Sequence, residues 1–108
     1  MLERIPFRTE VLVPEPGVTR VVVTGHLDYD TAAELSAMSP KLFTGNVEVV
    51  ELDLAGLTFI DSSGMAALIH VYNAAEEARG KFRIVALTPY LSHLFQVTAL
   101  DKVFDLPS

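Results

Sequence analysis

The sequence predicts an α/β fold, in which helices pack against a mixed, mostly parallel β-sheet that begins with an N-terminal hairpin strand. Three observations support this class. Apolar residues repeat with a strand-like period of two in some segments and a helix-like period of about 3.6 in others. Prolines and a glycine at residues 14–17 separate the first two strand-like segments. Helix-like segments separate the later strands, which predicts parallel neighbours joined by right-handed crossovers.

The strand-like segments are short apolar runs bounded by turn residues. Residues 7–13 form the predicted hairpin strand, because the prolines after it cannot donate to a ladder and Gly17 tolerates unusual φ. Residues 18–25 include three consecutive valines, a β-branched run that predicts a central strand buried on both faces. Further strands are predicted at residues 47–54 and 82–87, with a short terminal strand around residues 102–105.

The first helix is expected soon after the second strand. Asp30 or Thr31 can cap it, since Thr31 and Glu34 have the spacing in which a hydroxyl and a carboxylate satisfy each other's backbone amides. Pro40 donates no hydrogen bond, and its ring displaces the carbonyl four residues earlier, at a cost of about 3 kcal/mol in a helix interior. We therefore expect this helix to kink or to end near residues 38–39.

Two further helices are predicted later in the chain. The clearer one covers residues 63–79, with Gly80 as a left-handed residue at its C-terminus and an inner face formed by Met65, Leu68, Ile69, Tyr72 and Ala75. In the other, Thr88 is the predicted cap and Pro89 the first helical residue. Its inward residues are Leu91, Leu94 and Phe95.

Length and composition limit the possible functions. A chain of 108 residues that is 50% hydrophobic and 20% charged is predicted to form a single domain over residues 1–108. The sequence contains no cysteine, which excludes disulfides, zinc fingers, iron–sulfur ligation and thiol nucleophiles. A net charge of −6 disfavours direct binding to nucleic acid or anionic membranes, because phosphate neutralisation needs clustered Lys and Arg.

The sequence also predicts a cytoplasmic location and no cofactor. The N-terminal residues lack the apolar core of a signal peptide, and no apolar run approaches the roughly 18 residues of a spanning helix. We therefore expect a soluble cytoplasmic protein without a membrane partner. No glycine-rich phosphate loop is present, and no fixed spacing of carboxylates selects a metal site. A protein or a small molecule is the expected partner.

The predicted site lies where the parallel strands end. Loops that leave the carboxyl ends of such strands gather at one edge of the sheet. Here they are residues 24–30, 59–64 and 87–89. The second loop runs Asp61-Ser62-Ser63-Gly64 into the clearest helix, where Asp or Ser can cap the first turn and Gly64 permits close backbone approach. A phosphate on a serine there would meet backbone amides and the positive end of the helix dipole.

Three segments carry a resemblance to a known family. Leu52-Asp53-Leu54 through Phe59-Ile60-Asp61-Ser62-Ser63-Gly64-Met65 resembles the phosphorylation segment of STAS-domain anti-sigma factor antagonists. Thr24-Gly25-His26-Leu27-Asp28, followed by Thr31-Ala32, is similar to the first conserved loop of that family. Leu94-Phe95, with Thr98 and Leu100, is similar to its third-helix segment. The resemblance covers roughly residues 18–104 and implies a single STAS-like domain.

The resemblance implies a phosphorylation switch rather than an enzyme. The serine directly after the aspartate is the family's phosphoacceptor, which corresponds to Ser62. The unmodified protein is then expected to bind an anti-sigma factor that is a serine kinase and so to release the sigma factor. The resemblance further implies that phosphorylation at Ser62 weakens this binding and that a metal-dependent serine phosphatase restores it. The expected partner-binding residues are Asp28, Asp61, Ser62, Ser63 and Gly64, with Asp28 as a contact or a loop-shaping residue.

Three residues depart from the family pattern. His26 stands where many relatives carry Glu, and Ala66 stands where a second Gly is common. Pro40 changes a helix that borders the expected contact surface. These departures bear on which partner is bound more than on the fold.

Three alternatives belong to other functional classes. One alternative is a STAS scaffold subunit of a transport or signalling complex that is not phosphorylated. Whether Ser62 is phosphorylated distinguishes this scaffold from the switch. A serine hydrolase would need a Gly-x-Ser-x-Gly turn around Ser62 or Ser63, and neither serine has one. An aspartyl-phosphate receiver would need a lysine near residues 87–89, and none is present.

Overall fold

The computed structural model describes residues 5–106 and contains a four-stranded sheet in the order β1-β2-β3-β4. Strand β1 pairs antiparallel with β2, and β2–β3 and β3–β4 are parallel pairs. The α/β class with a mixed, mostly parallel sheet is thereby confirmed. The elements are β1 (Arg8–Glu15), β2 (Val18–Leu27), α1 (Ala32–Leu42), β3 (Val49–Ile60), α2 (Ser62–Glu77), β4 (Lys81–Ala86), α3 (Pro89–Val97) and α4 (Leu100–Val103).

The predicted hairpin is present, with a tighter turn than expected. Strand β1 continues through Pro14 to Glu15, which lies opposite Val18, so only Pro16 and Gly17 form the turn. Gly17 has φ +83°, a left-handed conformation that a side chain would disfavour. The pairing register shifts between Leu12 and Glu15, and this irregularity accommodates the proline within an edge strand.

The central strand is buried on one face, and the expectation of burial on both faces is wrong. Val21 and Val23 are fully buried in the core, whereas Val22 between them is half-buried on the opposite face. On that opposite face Arg20 Nε donates to Glu51 Oε1 at 3.0 Å, which ties β2 to β3. A run of valines does not alternate in polarity, so the sequence carries no signal that distinguishes the two faces.

Strand β3 is longer than the apolar pattern indicates. It runs from Val49 to Ile60, six residues beyond the predicted end at residue 54, and its last residue lies opposite Leu27 of β2. The prediction stopped early because Ala55 and Gly56 interrupt the apolar run. At Gly56 a Cβ would lie 2.7 Å from Thr24 Cγ2 on the neighbouring strand, so this position favours glycine.

Helix α1 continues through Pro40 to Leu42, so the expected end near residues 38–39 is wrong. Pro40 deprives the Ser36 carbonyl of its usual amide partner. The hydroxyl of Ser39 replaces that partner, donating to Ser36 O at 2.9 Å. Ser39 is fully buried, so its hydroxyl has little access to water and gains most from this bond. Leu35 and Leu42 on either side of the proline bury the helix against the core.

Helix α2 is confirmed, with two corrections. Its buried residues are Gly64, Ala67, Leu68, Val71 and Ala75, while Met65, Ile69 and Tyr72 of the predicted inner face are half-buried. The left-handed residue after the helix is Arg79, with φ 58°, and not Gly80. Glycine is favoured at position 80 for space, since a Cβ there would lie 3.1 Å from both Glu48 O and a ring carbon of Phe43.

The C-terminal segment forms helix α4, so the predicted strand at residues 102–105 is wrong. The helix follows Ala99, which has the left-handed φ of 63°. It leads to Phe104, whose buried ring lies 5.2 Å from Phe82 and 5.8 Å from Phe95, measured between centroids. This aromatic packing anchors the end of the described chain onto β4 and α3.

Helix α3 begins as predicted, with Thr88 Oγ1 accepting from Leu91 N and Pro89 in the first turn.

One hydrophobic core holds these elements together. It takes alternate residues from the strands and the inner faces of α1, α2 and α3. Within residues 5–106, no helix is both long and apolar enough to cross a membrane.

The pairing of Ser39 with Pro40 predicts a coupled effect on stability. Ser39→Ala should lower the free energy of unfolding by about 1 kcal/mol in the natural sequence, because the Ser36 carbonyl loses its partner. In a Pro40→Ala background the same change should cost close to nothing, because the restored amide at position 40 supplies the bond. Urea unfolding of the four proteins measures both values. An equal cost in the two backgrounds would contradict this account of the helix.

Candidate functional site

Two loops of the sheet meet where β2 and β3 end. Leu27 and Ile60 are the last residues of these strands and lie opposite each other. The chain then enters residues 28–31 before α1, and residue 61 before α2. Together with Tyr90 of α3, residues 28–31 and 61–64 form a continuous surface that is called the rim below. The prediction that these loops gather at one edge is confirmed.

Asp61 joins the two loops through three hydrogen bonds. Its amide donates to Leu27 O at 3.3 Å, which continues the strand pairing by one residue. Its Oδ1 accepts from Gly64 N at 3.0 Å and caps α2, as predicted. Its Oδ2 accepts from Tyr29 N, also at 3.0 Å, across 32 positions of the chain. One carboxylate therefore starts the helix and holds the neighbouring loop.

Asp28 and Thr31 shape that neighbouring loop. Asp28 is 7% exposed, and its Oδ1 accepts from Asp30 N at 3.0 Å. Thr31 Oγ1 accepts from Asp28 N at 2.9 Å and lies 2.8 Å from His26 O, to which it donates. The predicted capping box with Glu34 is absent, because no side chain caps the start of α1. Asp28 is thus a loop-shaping residue, and its contact with a partner stays a prediction.

The two serines of the rim differ in exposure. Ser62 is the first residue of α2 and is exposed, whereas Ser63 is half-buried. Of the first amides of the helix, Gly64 N is bonded to Asp61 Oδ1 and Met65 N to Asp61 O at 2.9 Å. The amides at positions 62 and 63 belong to the part of the first turn that intrahelical bonds cannot satisfy. The hydroxyl predicted to accept a phosphate is therefore accessible at the positive end of a helix dipole.

Gly64 brings α2 against the end of β2. It is buried, and a Cβ on it would overlap the carbonyl oxygen of Leu27. The same atom would lie 2.7 Å from Ile60 Cγ1. The close backbone approach expected at this position is confirmed. Because Gly64 follows Ser62 by two residues, this contact also determines how far Ser62, the predicted phosphoacceptor, lies from the sheet.

The third predicted loop reaches the rim through a residue just beyond it. Tyr90, in the first turn of α3, places its hydroxyl 3.4 Å from both the amide and the carbonyl of Ile60. Residues 87–89 themselves serve to begin the helix, with Thr88 as its cap. The rim therefore receives an aromatic side chain from this third segment.

Exposed aromatic residues around Ser62 were missed by the sequence analysis. Tyr29, Phe59 and Tyr90 are 81%, 41% and 43% exposed. The Phe59 ring lies 5.4 Å from that of His26, measured between centroids. A signal did exist for Tyr29, since an aromatic residue flanked by Asp28 and Asp30 lies in a turn and cannot easily reach the core.

The described residues offer no obvious place for a metal at the rim. Within residues 5–106, no group of three or more His, Asp or Glu side chains is arranged to hold an ion.

An apolar groove of about 480 Å³ lies between β1, β2 and α1, lined by Val11, Ala37, Met38, Leu42 and Val47 among others. No rim residue lines this groove, so the chemistry of Ser62 is separate from it.

Sequence comparison agrees with this geometry. A family model described as Mlab, STAS domain, matches residues 12–107, which is most of the chain. The protein belongs to the STAS domain family. Its relatives include an anti-sigma F factor antagonist of Lysinibacillus sphaericus, 28% identical over 95 residues, which covers 87% of this chain and 80% of the relative.

Solved structures show the same STAS fold. The crystal structure of an anti-sigma factor antagonist from Mycobacterium paratuberculosis matches with a TM-score of 0.79 and 29% identity, covering 95% of this chain and 87% of the other. The Bacillus cell fate determinant SpoIIAA in its phosphorylated form matches with a TM-score of 0.70 and 19% identity, covering 88% and 86%. At 19% identity, the similarity to SpoIIAA shows a shared fold and nothing more.

The contact at Gly64 predicts a destabilising alanine substitution. Gly64→Ala should lower the free energy of unfolding by about 2 to 3 kcal/mol, because the Leu27 carbonyl belongs to a paired strand and has no room to move. Helix propensity alone predicts that Gly64→Ala raises the free energy of unfolding, since Ala stabilises a helix by about 1 kcal/mol relative to Gly. Ala66→Gly, at an exposed position of the same helix, measures that propensity difference. Thermal unfolding in which Gly64→Ala is stabilised would show that the close contact is absent.

Proposed function

We propose that this STAS domain is an anti-sigma factor antagonist that is switched by phosphorylation of Ser62. The observation that carries the proposal is the exposed Ser62 at the start of α2, directly after the Asp61 cap. The names of the relatives support the role, and a protein of the same fold is known in a phosphorylated form. The unmodified protein would bind an anti-sigma factor with serine kinase activity and so release the sigma factor.

The modification is a phosphoryl transfer from ATP held by the kinase partner. Ser62 Oγ forms a bond to the γ-phosphorus, the bond from that phosphorus to the bridging oxygen breaks, and ADP leaves. The hydroxyl proton passes to a base supplied by the partner. The STAS domain contributes position, because Ser62 lies on a helix whose first turn is capped and packed against β2.

The phosphate weakens binding while the fold persists. It adds about −1.5 to −2 charges at a surface that already carries Asp30 and Asp61. One like-charge pair about 6 Å apart costs on the order of 2 to 3 kcal/mol at an effective dielectric constant near 20, before screening by salt. An acidic or nucleotide-bearing partner surface is therefore repelled. The positive end of the α2 dipole stabilises the phosphate by roughly 0.3 to 1 kcal/mol, which favours retention of the fold.

The proposal also includes the removal of the phosphate and the residues that surround Ser62. A metal-dependent serine phosphatase removes the phosphate and restores the binding form, in the cytoplasm where a sigma factor acts. Asp28, Asp61, Ser63 and Gly64 surround the acceptor and complete the proposed contact surface. Asp28 and Asp61 do so by holding the loops, as their hydrogen bonds indicate.

The first test is direct phosphorylation. Incubation with ATP and a cognate anti-sigma factor kinase should add one phosphate, measured by intact mass, and Ser62→Ala should abolish the addition. Ser63→Ala is the matched control, because it removes the neighbouring, half-buried hydroxyl and should leave the phosphate in place. If no cognate kinase modifies the protein, an unphosphorylated scaffold role is favoured instead.

The second test concerns charge at the acceptor. Ser62→Asp should retain the thermal midpoint of the natural protein, since an acidic residue at a helix start is tolerated. It should bind the kinase about tenfold to a hundredfold more weakly, as a carboxylate partly reproduces the phosphate charge. Asn46→Asp adds a similar charge at an exposed position before β3, at the opposite end of that strand, and should bind normally. Equal affinity of all three proteins would contradict the repulsion argument.

A further inference from the structure

Tyr29 is the most exposed large apolar side chain among the described residues 5–106, at 81% of its accessible surface. Aromatic rings of this size contribute much of the binding energy in protein interfaces, and Tyr is enriched among residues whose loss is costly. Isolated exposed apolar residues are common and need no explanation. Tyr29 differs because its backbone is held in place and because of what it lies beside.

The backbone around Tyr29 is fixed by bonds on both sides. Its own amide donates to Asp61 Oδ2 at 3.0 Å. The following turn is closed by Thr31 N and Ala32 N, which donate to Asp28 O at 3.1 and 2.8 Å. A partner that contacts the Tyr29 ring therefore does not have to order the loop first. Preorganisation of this kind lowers the entropic cost of binding.

Tyr29 lies close to Ser62 in the structure. Tyr29 is hydrogen bonded to Asp61, the residue directly before the acceptor. A specific interface of ordinary size covers about 800 Å² on each partner, which corresponds to a circle of roughly 16 Å radius. A kinase contact of ordinary area that is centred near Ser62 therefore reaches the loop that carries Tyr29.

Two other exposed rings lie around the same segment. Phe59 and Tyr90 are 41% and 43% exposed, and the Tyr90 hydroxyl lies 3.4 Å from the Ile60 backbone. Phe59 precedes Asp61 by two residues and Tyr90 contacts Ile60, so both add exposed apolar surface near residue 61. Asp30 is exposed beside Tyr29, so the apolar area has an acidic margin.

We propose that Tyr29 is the main apolar contact through which the kinase partner binds this face, with Phe59 and Tyr90 as secondary contacts. The partner surface that fits is an apolar pocket that takes up the phenol ring. The inference rests on the proposed function, since the occupant is the kinase that modifies Ser62. It assigns a determinant of affinity that is separate from the phosphoacceptor.

The test separates the contact from the chemistry. Tyr29→Ala removes an exposed ring and keeps the amide that bonds to Asp61, so the thermal midpoint should stay unchanged. Its affinity for the kinase should fall about tenfold or more. In the phosphorylation assay KM should rise by a similar factor with kcat retained, because the contact acts equally in the ground state and the transition state.

Two variants serve as controls. Tyr29→Phe keeps the ring and should bind like the natural protein, which separates apolar contact from hydrogen bonding by the hydroxyl. Val97→Ala shortens another strongly exposed apolar residue, 69% exposed at the far end of α3, and should have no effect.

The outcomes distinguish this inference from the function on which it rests. If the natural protein is phosphorylated at Ser62 and Tyr29→Ala binds equally well, the Tyr29 contact is overturned and the switch stands. A fall in kcat without a rise in KM would also overturn it. If the natural protein neither binds the kinase nor accepts phosphate, both proposals are wrong.

Discussion

The carboxylate of Asp61 is the interaction on which the geometry of the rim depends. Its Oδ1 accepts from Gly64 N and its Oδ2 from Tyr29 N, both at 3.0 Å. The first bond determines where α2 begins, and the second determines where the loop before α1 lies. Ser62, directly after Asp61, therefore has a defined position relative to both. A neutral residue without acceptors at position 61 would satisfy neither amide.

The position of Asp61 depends in turn on the core beneath it. The parallel pairing that ends at Leu27 and Ile60 brings the two loops together, and buried Gly64 lets α2 approach the Leu27 carbonyl. Ser62 thus stands on a packed helix rather than on a free loop. In the proposed switch this separates folding from binding, because Ser62 and Tyr29 are exposed while Gly64, which packs α2 against β2, is buried.

Much of the fold follows from local patterns in the sequence. The turn at Pro16 and Gly17 marks the hairpin, and Thr88 with Pro89 marks the start of α3 as expected. The Asp61 cap before an amphipathic segment predicts α2 and the location of Ser62. These features are readable because each depends on residues a few positions apart, where turn preferences, capping and periodicity act.

Other features were decided by contacts between distant parts of the chain. The last residues of β3 are strand because they pair with β2 across an interrupted apolar pattern. The C-terminal residues are helical and place Phe104 among rings from β4 and α3. The Thr31 hydroxyl bonds within its own loop rather than capping α1, and Asp61 reaches Tyr29 across the rim. The sequence by itself thus predicted the four segments that form the sheet, together with one terminal strand that is absent, and it placed Ser62 at the start of α2. Only the tertiary structure decided strand length, the terminal helix and the bond between Asp61 and Tyr29, because these depend on which partners are close in space and not on local preference.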